Sequence, residues 1–264
     1  MKELLLRTLT GILLIFLVAG AILLGSIPLL GVMLLVYILG MRELYTLFPR
    51  ANATQRWISA LPGLTMLLMV FAVLSFQWDY LLLGLPIALW LLYGLIKGFE
   101  STSILSLFWL AIPLASYFSV GWIEENGSYH GQVPLAVISL LWINDTFAYV
   151  TGSIIGKHKL APRLSPGKTW EGLAGGFLFT LLGGWIIFLI TGAYNLGVWL
   201  SLSTLISALS LIGDLFESGL KRNKSVKNSG EILPGHGGIL DRFDSLFFVA
   251  PGAFILFILL NLLS

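Results

Sequence analysis

Residues 218–244 read SGLKRNKSVKNSGEILPGHGGILDRFD, which sets five cations, three acids, one histidine and a Gly-Gly pair within 27 residues. Carboxylates bind hard divalent cations through oxygen, and lysines and arginines beside them neutralise phosphates, so the combination suits chemistry at phosphorus. Asp241 and Asp244 are three apart and share one face of a helix. Asp214 and Glu217 stand just before the basic run that begins at Lys221. Alone, DRFDS reads equally well as a helix start with Asp241 as its cap. Together with Asp214, the two acids describe an oxygen-ligand metal site beside phosphate-holding cations.

Two further stretches carry polar groups that invite chemistry. Residues 156–172 read GKHKLAPRLSPGKTWEG, and the Gly-Lys-Thr within them suggests a phosphate-binding P-loop. Pro162 occupies the position that motif reserves for its first glycine, and no strand is expected before it, so the P-loop is rejected. What remains is a Pro-Gly turn that displays Ser165, Lys168 and Thr169 just ahead of a helix whose free N–H groups suit a phosphate. A plain basic loop is the competing account, with Lys157, Lys159 and Arg163 touching lipid headgroups. Asn144 and Asp145 lie inside the apolar run LLWINDTFAYVTG, where an ionisable group is costly unless it is paired, metal-bound or facing water. The alternative there is a neutral aspartate bridging helices. His236 lies between Gly235 and Gly237-Gly238, which let backbone and imidazole approach a ligand closely, although a simple loop has the same composition. With no cysteine and no second histidine at ligand spacing, the residues point away from zinc.

Composition decides what holds these groups. Hydrophobic residues make up 57% of the 264 and charged residues 11%, against roughly a quarter charged in soluble domains, so most of the surface faces something other than water. The chain reads as an all-α, polytopic integral membrane protein. Its net charge of +2 gives no support to nucleic-acid binding. Nine stretches are apolar and long enough to span, at about 6–25, 27–47, 57–76, 79–97, 104–123, 132–152, 172–191, 194–216 and 243–263. The first, following Lys2, resembles a secretory signal in its Ala19-Gly20-Ala21 end, but its length and the spans that follow favour a membrane anchor. With a cytoplasmic N-terminus, all 15 lysines and arginines fall on the inner side, and Asp79, Glu124 and Glu125 lie outside. Residues 1–130 then form an N-terminal transmembrane region of about five spans. Residues 131–264 form a C-terminal catalytic region with cytoplasmic loops at 153–171 and 217–242. Buried Asp145 and Asp214 leave room for a secondary transporter using an acidic relay.

The polar window carries a resemblance. Ser218, Lys221-Arg222, Lys227-Asn228, Gly230, Leu233-Pro234, His236-Gly237-Gly238-Ile239 and Asp241-Arg242-Phe243-Asp244 match in order and spacing the long signature of the CDP-diacylglycerol synthase, or phosphatidate cytidylyltransferase, family. Residues 144–149 and 165–172 resemble two other stretches of that family. The resemblance implies conversion of CTP and phosphatidate into CDP-diacylglycerol and pyrophosphate, at the cytoplasmic face of the inner membrane. It implies Mg²⁺ at Asp214, Asp241 and Asp244, with a second, monovalent ion such as K⁺. It assigns phosphates to Lys221, Arg222, Lys227, Lys168 and Arg242, with Ser218, His236 and Ser165 orienting them. Thr169, Asn144, Gly237 and Gly238 join the substrate site, and Asp145 takes a catalytic or metal-supporting role. The lipid bilayer is a partner, and a homodimer through the N-terminal spans is expected. One position departs: Asn228 stands where the family carries aspartate, and an amide cannot supply the charge that binds a metal strongly. A cytidylyltransferase for another lipid phosphate, and a member that binds without turnover, are the neighbouring alternatives.

Overall fold

The structure is a computed structural model that describes residues 2–48, 53–77, 79, 82, 84–97, 101–123, 128–224, 226, 228–233, 235 and 237–263. It is helical nearly throughout, as an all-α membrane protein requires, because hydrocarbon offers no partner for a backbone N–H or C=O left outside a helix. The chain divides into two compact units, Met1–Gln132 with Asn228–Phe243, and Val133–Lys227 with Asp244–Ser264. The segment Asn228–Phe243 therefore belongs with the N-terminal helices.

The first unit contains helices α1 (Lys2–Leu24), α2 (Ser26–Leu47), α3 (Ala53–Phe76) and α4 (Gly84–Lys97), then α5 (Ser101–Leu105), which runs through a π-helical turn (Ser106–Ala111) into α6 (Ile112–Val120). Gly25, at φ 122°, breaks the chain between α1 and α2. The widened turn lies directly ahead of Pro113, whose ring collides with an upstream carbonyl in a regular helix. In the core of this unit Tyr37 Oη donates to the Ala60 carbonyl at 2.7 Å and lies 2.9 Å from Ser106 Oγ, which ties α2, α3 and the π turn together. The same unit ends in the short helix α10 (Leu240–Phe243).

The second unit is built on α7 (Gln132–Ile155), α8 (Trp170–Thr191), α9 (Leu196–Asn223) and α11 (Leu246–Leu263). Small residues let these helices approach closely, as is usual where lipid gives no hydrophobic drive between them. A Cβ added at Gly176 of α8 would lie 2.9 Å from the Asn144 carbonyl of α7, and one at Gly184 would lie 2.9 Å from the Trp199 carbonyl of α9. Between α7 and α8 the only sheet among the described residues is an antiparallel hairpin of β1 (Lys159–Ala161) and β2 (Ser165–Thr169), paired Lys159 to Thr169 and Ala161 to Ser165. The expected Pro-Gly turn at 165–169 is thus an extended strand.

Eight of the expected spans lie on helices over most of their length, and the expected span 79–97 does so from Gly84 onward, with residues 80, 81 and 83 outside the described residues. Among the described residues, seven stretches are long and apolar enough to cross a membrane: Ser26–Leu47, Ile58–Phe76, Thr102–Val120, Gln132–Ile155, Trp170–Thr191, Leu196–Asn223 and Leu240–Leu262. The apolar stretches Thr8–Leu24 of α1 and Ile87–Ile96 of α4 are shorter.

Candidate active site

The second unit holds a cavity of about 620 Å³ walled by α7, the hairpin, the first turn of α8 and α9. Helix α7 contributes Asn144, Asp145, Tyr149 and Gly152; the hairpin contributes Lys159, Ser165, Lys168 and Thr169; α9 contributes Ser210 and Asp214. Six residues singled out from the sequence in three separate stretches therefore meet here: Asn144, Asp145, Ser165, Lys168, Thr169 and Asp214.

Each is positioned by its element. Asn144 is buried, donates from Nδ2 to Ser210 Oγ at 2.8 Å, and accepts at Oδ1 from Thr180 Oγ1 at 3.3 Å, which joins α7, α8 and α9 at one depth. Its Nδ2 lies 3.4 Å from Asp145 Oδ1, so the amide also orients the neighbouring carboxylate. Thr169 is the N-cap of α8, its Oγ1 accepting from Gly172 N at 3.1 Å. Its hydroxyl thus takes up one of the N–H groups that the sequence left free for a phosphate. Extended backbone carries Lys168 to the cavity wall, where Nζ ion-pairs with Asp214 Oδ2. Ser245 Oγ donates to Asp214 Oδ1 at 2.6 Å and holds the carboxylate from the side of α11. The hairpin is anchored at its base by Glu171, which accepts from Lys157 N at 3.1 Å and from His158 Nδ1 at 2.6 Å.

Acids and cations continue along α9. Glu217, one turn past Asp214, is fully buried and pairs with Lys221 Nζ at 3.2 Å. Asp244, just ahead of α11, lies close enough to Asp214 and Glu217 for both to act on its charge. Ser218 is half-buried on the same helix. Arg222 reaches the Leu164 carbonyl of the hairpin at 3.4 Å and the Val226 carbonyl at 3.2 Å.

Asp214, Glu217 and Asp244 carry the hard oxygen donors that a divalent cation such as Mg²⁺ takes. The donor chemistry therefore fits the ion. In the arrangement seen, lysines hold two of the three carboxylates, and among the described residues no group of three histidine, cysteine, aspartate or glutamate side chains is placed to hold a metal.

The rest of the polar window belongs to the first unit. Asp241 Oδ2 accepts from Ser229 N at 3.0 Å and Gly238 N at 2.9 Å, and Leu233 and Gly237 pair through 2.9 and 3.1 Å backbone bonds. Gly237 takes φ 87°, which favours glycine there. Arg242 is exposed on α10. Lys227 and His236 lie outside the described residues.

Sequence reasoning missed Glu43 of α2, which is buried against this same segment. The criterion that selected Asp145, an acid inside an apolar span, selects Glu43 as well. Ser210 and Ser245 gave no comparable signal, since isolated serines are common in apolar helices.

The sequence model described as the cytidylyltransferase family matches residues 5–260. A phosphatidate cytidylyltransferase of Staphylococcus saprophyticus is 44% identical over 140 residues, covering 52% of this chain and 54% of that protein. One of Staphylococcus haemolyticus is 51% identical over 114 residues, covering 42% of this chain and 44% of that protein. One of Staphylococcus aureus is 44% identical over 140 residues, covering 52% of this chain and 54% of that protein. The chain thus spans about half the length of the curated relatives it matches. A match that runs from α1 to α11 is far more than half of the sequence, and this chain belongs to the cytidylyltransferase family.

Proposed function

We propose that the protein transfers the cytidylyl group of CTP to phosphatidate, giving CDP-diacylglycerol and pyrophosphate. The observation that carries this reading is the meeting of Lys168, Asp214, Asn144 and Asp145 in one cavity, in a chain whose relatives are named for that reaction. An oxygen of the lipid phosphate attacks the α-phosphorus of CTP, forming a P–O bond as the bond to the β-phosphate oxygen breaks, and its electrons leave with pyrophosphate. A phosphate dianion is already a nucleophile near neutral pH, so the reaction needs charge neutralisation and alignment more than a protein base.

The residues divide accordingly. Lys168 and Lys221 neutralise phosphate oxygens, Ser165 orients them, and Arg222 fixes the hairpin through the Leu164 carbonyl. Asn144 and Ser210 set the position of Asp145. Asp214 and Asp244 would hold Mg²⁺, which when bound offsets the charge on the substrate phosphates and on the departing pyrophosphate. The inner placement of every lysine and arginine in the nine-span reading supports a cytoplasmic site.

The test uses the full chain in lipid nanodiscs with CTP, phosphatidate and Mg²⁺. Pyrophosphate and a CDP-lipid should appear only when phosphatidate is present, and chelation should abolish both. Absence of product from the protein and from its Asn228→Asp variant would overturn the reading. Product formed faster from a different lipid phosphate in direct competition would replace phosphatidate as the substrate.

A further inference from the structure

Glu43 lies near the end of α2, 2% exposed, with the apolar Met41 and Leu44 beside it also buried. A carboxylate is tolerated in such a place only when hydrogen bonds replace the water it has lost. Both of its oxygens are used by a segment 186 to 197 residues away in the chain. Oε1 accepts from Ile239 N at 2.8 Å, and Oε2 accepts from Ser229 Oγ and Leu240 N, each at 2.9 Å. Ile239 N and Leu240 N belong to the start of α10, so α2 supplies the acceptors that a helix beginning cannot provide for itself.

The segment is shaped to admit this carboxylate. A Cβ at Gly230 would stand 2.6 Å from Oε1, and one at Gly238 would stand 2.4 Å from Oε2. Asp241 grips the same stretch from its own helix, through Ser229 N and Gly238 N. Ser229 is therefore held twice, by its hydroxyl to Glu43 and by its N–H to Asp241. Loosening Glu43 loosens the residues that fix the Asp241 carboxylate.

We propose that Glu43 is a positioning residue for the reaction, fixing Ser229 and Gly238–Leu240 in the arrangement that orients Asp241 and Arg242, to which the family resemblance assigns metal and phosphate, without itself touching substrate. The kinetic part of this inference rests on the cytidylyltransfer reading; the positional part does not. Apolar side chains could fill the same space at lower desolvation cost, and a buried charge retained in their place specifies one arrangement of its donors.

Glu43→Gln in the full chain tests it. The replacement is nearly isosteric, but its NH₂ must face Ile239 N or Leu240 N, setting two donors head to head. The expected result is a fall in kcat of about 100-fold with KM for CTP and phosphatidate little changed. Amide hydrogen exchange over 229–240 should be about tenfold faster. Ser229→Ala removes one neutral donor and leaves the others, so it should move both readouts in the same direction by less. It carries the test alone if Glu43→Gln does not fold. Unchanged exchange in a folded variant overturns the proposal, as does faster exchange with kcat intact, or a raised KM with kcat intact. If the unaltered protein makes no CDP-lipid, the reaction reading fails, and exchange over 229–240 still decides whether Glu43 fixes the turn.

Discussion

Lys168 and Asp214 are each 26% exposed where they pair at the cavity wall. An ion pair with that access to solvent is worth little to folding, about 0–1 kcal/mol, because water screens the charges and two flexible side chains must be held together. In the proposed reaction the same lysine would act on charge that grows in the transition state, where one well-placed donor is worth about 10²–10³ in rate. The two magnitudes separate stability from activity. Lys168→Met should lower kcat for pyrophosphate release by about 10²-fold. Its effect on unfolding free energy should stay below about 1 kcal/mol, since Asp214 keeps its bond from Ser245 Oγ. Turnover within a fewfold of the unaltered protein would remove Lys168 from the site. Lys168→Arg retains the charge but spreads it over a planar fork, so it should recover part of the loss.

At the scale of elements, the close packing of α8 against α9 sets where the cavity walls stand. A Cβ at Gly184 would meet Ser203 Oγ, which can rotate away, and the Trp199 carbonyl at 2.9 Å, which cannot. Gly184→Val should therefore push the helices apart and cost about 1–3 kcal/mol, read as a lower melting midpoint in detergent; an unchanged midpoint would mean that this interface is loose. The helices themselves were legible because a run of apolar residues is a local signal, and every helix of 14 residues or more among the described residues lies largely within an expected stretch. The β1–β2 hairpin was not legible. Its strands are three and five residues long, and the second contains Pro166 and Gly167, which read as a turn in any window. In the site, Asn144, Asp145, Lys168 and Asp214 stood out because each is polar in a place that penalises polarity or supplies charge. Glu43 lies beside Arg42 near the end of its span, where charged residues are usual, so it stands out less than Asp145. Its partners are also nearly 200 residues away in sequence, and only the fold brings them close.

For the molecule as a whole, sidedness depends on how many helices cross between any two points, and α4 is where the count is decided. Its 14 residues span about 21 Å at 1.5 Å each, against a hydrocarbon core of about 30 Å. A helix that short crosses only if the bilayer thins or its flanks extend it. The positive-inside expectation nonetheless calls for a crossing there. With α4 spanning, five crossings separate Asp79 from Lys224, and every lysine and arginine lies on one side. Without it, four long helices separate them, Thr102–Val120, Gln132–Ile155, Trp170–Thr191 and Leu196–Asn223, and both residues share a side. The absence of cysteine makes the two cases easy to distinguish, since a single introduced thiol has no background. In intact cells a membrane-impermeant maleimide should label Asp79→Cys, and should label Lys224→Cys only after permeabilisation. Labelling of both in intact cells would mean that α4 does not cross, and that the cations before α4 and those beside the cavity face opposite compartments. Labelling of Lys224→Cys alone would invert the protein and place the cavity lysines outside, away from the CTP that the proposed reaction consumes.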